Sequence, residues 1–143
     1  EYWFAAYDVE DDEALIVHLP EPMDGVYWGA QLFDVWLRSH DFRSHQSTLN
    51  SAYATQNGDG GIRFILTRRD PGYANWIDTC GFTKGQLLIR NYRSSAAANP
   101  TVTRVPYADL AKHLPDDMVL LTPDERAAAL ATRLAAYTRR HGE

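Results

Sequence analysis

The stretch Val-Tyr-Trp-Gly-Ala-Gln-Leu-Phe-Asp-Val-Trp-Leu at residues 26–37 decides the fold class. Side chains alternate between the two faces of a β-strand, and here both faces are apolar. One face carries Val26, Trp28, Ala30, Leu32 and Trp36, and the other carries Tyr27, Phe33, Val35 and Leu37. Such a pattern is typical of a central strand that is covered on both sides. We therefore predict one strand over residues 26–37, with Asp34 as a buried carboxylate on the Trp28 face.

Further strand patterns, separated by turn signals, fill most of residues 1–105. The predicted strands are Tyr2–Val9, Ala14–Leu19, Ser51–Gln56, Ile62–Arg68, Gln86–Tyr92 and Val102–Val105. Asn57–Gly61 predicts a hairpin turn between two of them, because glycine and asparagine accept the positive φ of tight turns. No helical pattern separates the strands, so a parallel sheet is not expected. The predicted fold is all-β, an antiparallel sandwich or barrel.

The pattern becomes helical after residue 105. Pro106 favours a short helix through residues 107–113. Thr122 can cap a second helix, and Glu125 completes a capping box with it. Apolar residues then recur at helical spacing, namely Ala127, Leu130, Ala131, Leu134 and Tyr137. We predict a β-sandwich domain over residues 1–105 and a helical tail over residues 106–143, which packs on the same domain or on a second copy of the chain.

Composition and charge exclude several classes of protein. With 143 residues, of which 45% are hydrophobic, the chain is long and apolar enough for one folded domain. No apolar run approaches the roughly 20 residues that span a bilayer, so no membrane span is expected. The net charge is −5 and the basic residues are dispersed, which argues against nucleic-acid binding. The acidic residues are concentrated in residues 1–25, which carry no Lys or Arg. We interpret this acidic stretch as a solvated turn or as a docking patch for a basic partner.

The beginning of the chain and its single cysteine suggest a context. Glu1 is followed directly by a strand pattern, without an initiator Met or a targeting signal. We therefore expect a processed chain or a piece of a longer protein, with an upstream domain or a partner subunit. Cys80 is the only cysteine, which excludes an intramolecular disulfide and a multi-cysteine zinc site. The sequence does not decide the cellular compartment, with the cytoplasm favoured over the periplasm.

The segment Asp70-Pro-Gly-Tyr-Ala-Asn-Trp-Ile-Asp-Thr-Cys-Gly81 is the densest in side chains that bear chemistry. In one interpretation it is a structural corner, in which Asn75 and Asp78 bond turn amides and Trp76 plugs one end of the sandwich. In the other it is the wall of a cleft, with Trp76 as a ligand platform and Asp78 as an acid or base. Cys80 has no basic neighbour in the sequence, so we expect a buried, inert thiol.

Residues 40–50 form a second candidate segment. In an extended chain Asp41, Arg43 and His45 share one face. His40, Asp41 and His45 lie close together in the sequence and raise the question of a metal site. Their spacing matches no standard zinc pattern, however, and a third histidine would have to come from elsewhere in the chain. We expect no metal and no cofactor. A charged network of Asp34, Asp41 and Arg43 around a pocket mouth is one alternative. Another is His45 as a general base, oriented by Asp41 or Asp78.

Several motifs together resemble a known family. They are Tyr27-Trp28 with Gln31-Leu32, Ser47-x-Leu49-Asn50, Asp59-Gly60, Asp70-Pro-Gly-x-x-Asn75-Trp-Ile-Asp-Thr-x-Gly81, Gly85, Arg90 and Thr122-Pro-Asp-Glu-Arg126. They are similar to the bacterial domain-of-unknown-function family numbered 1214, which is often found C-terminal to the family numbered 1254. The resemblance covers residues 14–140 and implies a jelly-roll-like β-sandwich in a two-domain protein. It brings no established reaction, and Cys80 stands where it implies alanine.

Three functions follow as hypotheses. The first is a module that binds a small apolar or carbohydrate-like ligand in a concave pocket near the tryptophans. Its expected ligand-binding residues are Trp28, Asp34, Trp36, Arg43, Asn50, Asn75, Trp76 and Arg90. The second is a hydrolase or a lyase/isomerase that uses His45 with Asp41 or Asp78 as acid and base. The third is an architectural domain that forms a homo-oligomer through the apolar stripe of its C-terminal helix.

Overall fold

Two four-stranded sheets form the centre of the computed structural model, which describes residues 1–20, 26–94 and 99–142. The strands are β1 (Tyr2–Asp8), β2 (Glu13–Leu19), β3 (Tyr27–Phe33), β4 (Thr48–Asn50), β5 (Ile62–Thr67), β6 (Trp76–Asp78), β7 (Lys84–Tyr92) and β8 (Thr101–Pro106). The first sheet has the order β1-β7-β3-β4 and is antiparallel throughout. The second has the order β6-β5-β2-β8, and its edge strand β6 runs parallel to β5. The fold is mostly β, as predicted, but the second sheet is mixed.

The inner faces of the two sheets share one hydrophobic cluster. Trp28, Ala30 and Leu32 alternate along β3 and meet residues such as Val17 of β2 and Phe64 of β5. The outer face of the second sheet is also covered, because Leu110, Leu114 and Met118 pack on its apolar side chains. Strands β2 and β5 and the short edge strand β6 are therefore buried on both faces. In contrast, the outer face of β3 stays half exposed, and the prediction that this strand is covered on both sides is wrong.

The predicted strand over residues 26–37 ends at Phe33 because Asp34 starts a turn. One carboxylate oxygen of Asp34 accepts hydrogen bonds from the amides of Trp36 and Arg38, at 2.8 and 3.0 Å. The other oxygen accepts from Arg38 Nε at 2.7 Å. Leu37 then adopts a positive φ of 64°, which no strand residue has. Asp34 is buried, as predicted, but its carboxylate satisfies turn amides, and Trp36 projects into solvent with 78% of its surface exposed.

The predicted strand Ser51–Gln56 is also wrong. The strand of this region is β4, which pairs with β3, and Asn50 then ends it by accepting a hydrogen bond from the Ala52 amide at 2.9 Å. The turn at Asn57–Gly61 is present and is closed by a hydrogen bond from Asn57 N to Gly61 O at 2.9 Å. However, it leads into β5 from an irregular segment and does not join two paired strands.

The C-terminal elements follow their sequence signals. Tyr107–His113 forms a 3₁₀ helix, and α1 spans Pro123–His141. Thr122 caps α1 in the predicted capping box with Glu125, and Gly142 ends it in the left-handed conformation. Arg126 is the buried residue of α1, whereas Leu134 on the predicted apolar stripe is 42% exposed. No helix of the described ranges is long and apolar enough to cross a membrane.

Candidate functional site

His45 and Asp78 lie together at one end of the second sheet. His45 Nδ1 is 2.7 Å from Asp78 Oδ2, and the His45 side chain is 45% exposed. Asp78 is the last residue of β6, and its amide donates to Gln46 O at 2.8 Å, which ties the segment before β4 to this strand. The pairing of His45 with Asp78 is one of the two that we expected. The alternative pairing is not seen, because Asp41 instead accepts hydrogen bonds from the amides of Arg43 and Ser44.

Cys80 lies beside this pair. Its amide donates to Asp78 Oδ1 at 2.8 Å, and its φ of 54° turns the chain sharply after β6. Burial of the thiol, together with the negative charges of Asp78 and Asp41, raises the pKa of Cys80 to about 12. The thiol is therefore protonated at neutral pH and is not an activated nucleophile, as expected, although Cys80 is half-buried where we expected a buried residue. The donor atoms of His45, Asp78 and Cys80 all lie within 4.8 Å of one another.

A buried pair that sequence reasoning missed lies close to Cys80. Tyr7 Oη is 2.9 Å from His40 Nε2, and the His40 ring stacks on Phe82 with ring centroids 4.5 Å apart. Burial lowers the pKa of His40 and raises the pKa of Tyr7. The imidazole is thus neutral and accepts a hydrogen bond from the phenol. The strand alternation that buries Tyr7 was the available signal, but its partner is 33 residues away in the sequence.

Asn75 and Trp76 of the predicted corner are buried and contact neighbouring segments of the chain. Asn75 is buried, accepts from the Thr55 amide at 2.8 Å, and donates to the carbonyls of Thr55 and Arg63. Trp76 is also buried, with the Arg126 guanidinium 5.1 Å from its ring centre. Trp28 lies in the shared hydrophobic core. Trp28, Trp36 and Trp76 line none of the cavities described below.

A concave surface lies on the open outer face of the first sheet, where α1 passes over it. A cavity of about 410 Å³ is lined by Tyr27, Gly29, Ala30, Gln31, Phe42, Thr48, Leu49, Asn50, Leu88, Arg90 and Arg140. A second cavity of about 250 Å³ shares Phe42, Thr48, Asn50 and Arg140 with it and adds Tyr53, Arg133, Ala136, Tyr137 and His141. We call these two joined cavities the arginine groove. Two predicted ligand-binding residues, Asn50 and Arg90, line it.

The charges of the arginine groove have one sign. Arg90, Arg133 and Arg140 line it, and none of its lining residues within the described ranges is an aspartate or a glutamate. Arg133 Nη1 donates to Thr48 Oγ1 at 3.2 Å, and its guanidinium stacks 4.9 Å from the centre of the Tyr53 ring. Burial and the charge of Arg126 lower the pKa of Arg133, which Tyr53 opposes. This guanidinium is therefore held partly desolvated at the groove wall, where an anion would stabilise it.

Arg133 and Arg140 were missed as candidate residues, although the sequence contained a signal for them. They share one helix face with Tyr137 at the spacing i, i+4 and i+7, which the apolar stripe obscured. Arg43, a predicted ligand-binding residue, lies over the Tyr137 ring at 5.0 Å and so stands next to the groove. His45 lines neither cavity of the groove.

Comparisons with known proteins place these features in a family context. The family model described as protein of unknown function DUF1254 matches residues 1–105. The resemblance to the family numbered 1214 is not confirmed, since the matching family is the one that we expected upstream of it. A comparison with curated proteins finds no match.

Two solved structures are similar to the chain. An uncharacterized protein from Burkholderia cenocepacia is 31% identical with a TM-score of 0.72, over 75% of this chain and 30% of that protein. The VPA0106 protein from Vibrio parahaemolyticus is 10% identical with a TM-score of 0.52, over 73% of this chain and 31% of that protein. At this identity the similarity concerns the fold alone. The chain thus spans about a third of the length of these two structures.

Proposed function

This chain belongs to the DUF1254 family, and we propose that it is a module that binds a small ligand in the arginine groove. The ligand has a partly apolar or carbohydrate-like body and carries a carboxylate or a phosphate group. The observation that carries this proposal is the set of three arginines, with no acidic side chain among the described lining residues. Guanidinium groups recognise carboxylates and phosphates through paired N–H donors, so their convergence favours an anionic ligand.

The remainder of the groove suits the body of such a ligand. Tyr27 and Phe42 are both exposed in part and supply apolar surface, against which a ring can pack. Gln31, Thr48 and Asn50 supply donors and acceptors that can orient hydroxyl groups. The arginine groove thus offers apolar surface together with placed polar groups, and small-molecule sites use both.

The proposal includes the setting of the module. We infer a jelly-roll-like sandwich, which is supported by two four-stranded sheets that share one core. We infer a further domain or a partner subunit, because the match covers only 30% and 31% of the two similar solved structures. A homo-oligomer contact through α1 is a further part of it, favoured by the exposure of Leu134. Light scattering of the wild type and of Leu134→Lys tests this contact. If the contact forms, the variant should have a smaller molar mass in solution than the wild type.

The rival enzyme hypothesis draws its support from the pairing of His45 with Asp78 at 2.7 Å. It is the weaker candidate, because His45 lines neither cavity of the groove. A catalytic base has to reach the proton that it abstracts. Binding of a ligand is therefore the function that the geometry supports best.

Matched pairs of compounds test the proposal. Calorimetry would compare benzoate with benzamide, phenyl phosphate with phenol, and glucuronate with glucose. We expect the anionic member of at least one pair to bind and its neutral partner to bind at least about tenfold more weakly, which corresponds to about 1.4 kcal/mol. Equal binding of both members in every pair, or binding of none, would overturn the proposal.

Neighbouring arginines on α1 provide the matched variants. Arg140→Gln removes a lining guanidinium, whereas Arg139→Gln removes the same charge from a residue that does not line the groove. We expect Arg140→Gln to weaken binding at least about fivefold and Arg139→Gln to leave it unchanged. Equal weakening by both variants would show that net charge alone attracts the anion.

A further inference from the structure

We propose that His45, Asp78 and Cys80 bind a divalent transition-metal ion, with Zn²⁺ as the ion that best suits their donor atoms. The three residues offer an imidazole nitrogen, a carboxylate oxygen and a sulfur, all within 4.8 Å of one another. These are the three kinds of protein ligand that Zn²⁺ takes. The site lies apart from the arginine groove, whose lining includes none of these residues.

Small side-chain movements bring the donor atoms to a metal geometry. Tetrahedral coordination at 2.0–2.3 Å puts neighbouring donor atoms roughly 3.3–3.8 Å apart. The separation of His45 Nδ1 and Asp78 Oδ2 is 2.7 Å and must lengthen slightly, while the widest separation of the cluster must shorten by about 1 Å. His45 is half exposed, so rotation of its side chain meets little resistance.

The backbone positions the carboxylate and the thiol in advance. Asp78 is fixed at the end of β6 by the hydrogen bond from its amide to Gln46 O. Its Oδ1 already accepts from the Cys80 amide, which leaves Oδ2 directed at His45. Cys80 follows two residues later with a φ of 54°, and its sulfur lies within 4.8 Å of the Asp78 carboxylate.

The charges of the site favour a cation. The Asp78 carboxylate lies within 4.8 Å of both the Cys80 sulfur and the His45 nitrogen. The two positive charges of a divalent ion would be matched there by one thiolate and one carboxylate. His45 carries a proton on Nδ1 toward Asp78, because a carboxylate only accepts.

Binding is balanced in protons and leaves one position open. The thiol proton of Cys80 is released to solvent, the Nδ1 proton of His45 moves to Nε2, and the sulfur, Nδ1 and Oδ2 lone pairs bond the ion. No oxidant or reductant is needed. Three protein ligands leave the fourth tetrahedral position for water, on the side where His45 is exposed.

Cobalt provides a direct test on the whole chain, because a thiolate bound to Co²⁺ gives a charge-transfer absorption band. Cys80 is the only cysteine, so such a band can arise from no other residue. We expect a saturable band at one Co²⁺ per chain, which disappears when an equimolar amount of Zn²⁺ is added. Absence of the band in the wild-type protein would overturn the proposal.

Variants assign the site to its residues. We expect Cys80→Ala to abolish the band, and His45→Gln to weaken Co²⁺ binding by more than about 100-fold, since loss of an outer-shell partner alone costs 10–100-fold. His113→Gln changes an exposed histidine of the 3₁₀ helix and should leave binding unchanged. Equal binding by wild type and His45→Gln would contradict the site.

A second measurement does not depend on the folding of Cys80→Ala. Zn²⁺ should slow the alkylation of Cys80 by iodoacetamide at least about tenfold in the wild type, because a metal-bound sulfur is a poor nucleophile. The same concentration of Zn²⁺ should give no protection in His45→Gln. Protection that is equal in both proteins would show that the metal acts elsewhere.

Discussion

Arg126 Nε donates a hydrogen bond to Asp70 Oδ2 at 2.9 Å and so joins the first turn of α1 to the turn that precedes β6. The same guanidinium also donates to Gln46 Oε1 at 2.9 Å and to the carbonyl of Tyr73. Arg126 is buried, and its planar fork reaches these partners from one position. It is a buried connection between the helix and the body of the protein.

Replacing Arg126 with methionine should lower the free energy of unfolding by about 3 kcal/mol, the lower end of the cost of breaking a buried ion pair, since Asp70 is partly exposed. Arg126→Lys should also destabilise the protein, because an ammonium group cannot serve the separate partners at once. Urea denaturation would measure both. Arg139→Lys is the control, and a loss equal to that of Arg126→Lys would contradict this assignment.

Gly85 tests the close approach of β7 to β3. A Cβ atom at Gly85 would lie 2.3 Å from the backbone oxygen of Phe33 and 2.6 Å from Tyr7 Oη. Gly85→Ala should therefore cost more than about 2 kcal/mol, because backbone has to move. At Gly29 the three atoms nearest to the new Cβ all belong to the Tyr27 side chain, which can rotate. Gly29→Ala should cost clearly less in thermal denaturation, and a larger loss there would refute the argument.

His40 should make stability depend on pH. Burial lowers its pKa, and the carboxylates of Asp34 and Asp78 offset this only in part. The unfolded chain therefore takes up a proton near the ordinary pKa of 6.5, before the folded protein does. The contribution of neutral His40 to the free energy of unfolding is therefore complete above pH 6.5. It is lost as the pH falls toward the lower pKa that His40 has in the folded protein. His40→Gln, which keeps a partner for Tyr7, should flatten this dependence in urea denaturation, and an unchanged slope would exclude His40 as its source.

The two tryptophans of the predicted central strand should behave in opposite ways. Trp28 is 4% exposed and belongs to the shared core, so Trp28→Ala should cost about 3–5 kcal/mol. Trp36 is 78% exposed, and Trp36→Ser should change the free energy of unfolding by less than about 0.5 kcal/mol. Chemical denaturation of the two variants measures both values. A large loss for Trp36→Ser would mean that this side chain is covered in solution.

The sequence predicts local structure better than it predicts which segments meet. The capping box of Thr122 and Glu125 depends on adjacent residues, and the structure has it as expected. The end of β3 was mispredicted because Val35, Trp36 and Leu37 continue an apolar alternation, while the hydrogen bonds of Asp34 make a turn. Pattern alone does not weigh a side chain that competes with the sheet for backbone amides.

The candidate sites show the same limit. Segments 40–50 and 70–81 were predicted to carry the polar groups, and His45 and Asp78 do meet across 33 residues of sequence. The arginine groove escaped prediction because it combines β3, β4 and β7 with the last turns of α1. The spacing of Arg133, Tyr137 and Arg140 marks one helix face in the sequence, but no local motif encodes the packing of that face over a sheet.

The attachment of α1 has a mechanical consequence. The helix is anchored near residue 126, and Arg140 lies 14 residues further along, a lever arm of about 21 Å at 1.5 Å per residue. A tilt of about 5° at the anchor would move the far end by about 2 Å, which is comparable to the difference between a ligand atom in contact and one out of reach. Between these points, Arg133 contacts Thr48 and Tyr137 contacts Phe42, which limits the tilt of the helix. Mutations at the distant Asp70 turn can therefore change the width of a site that they do not touch.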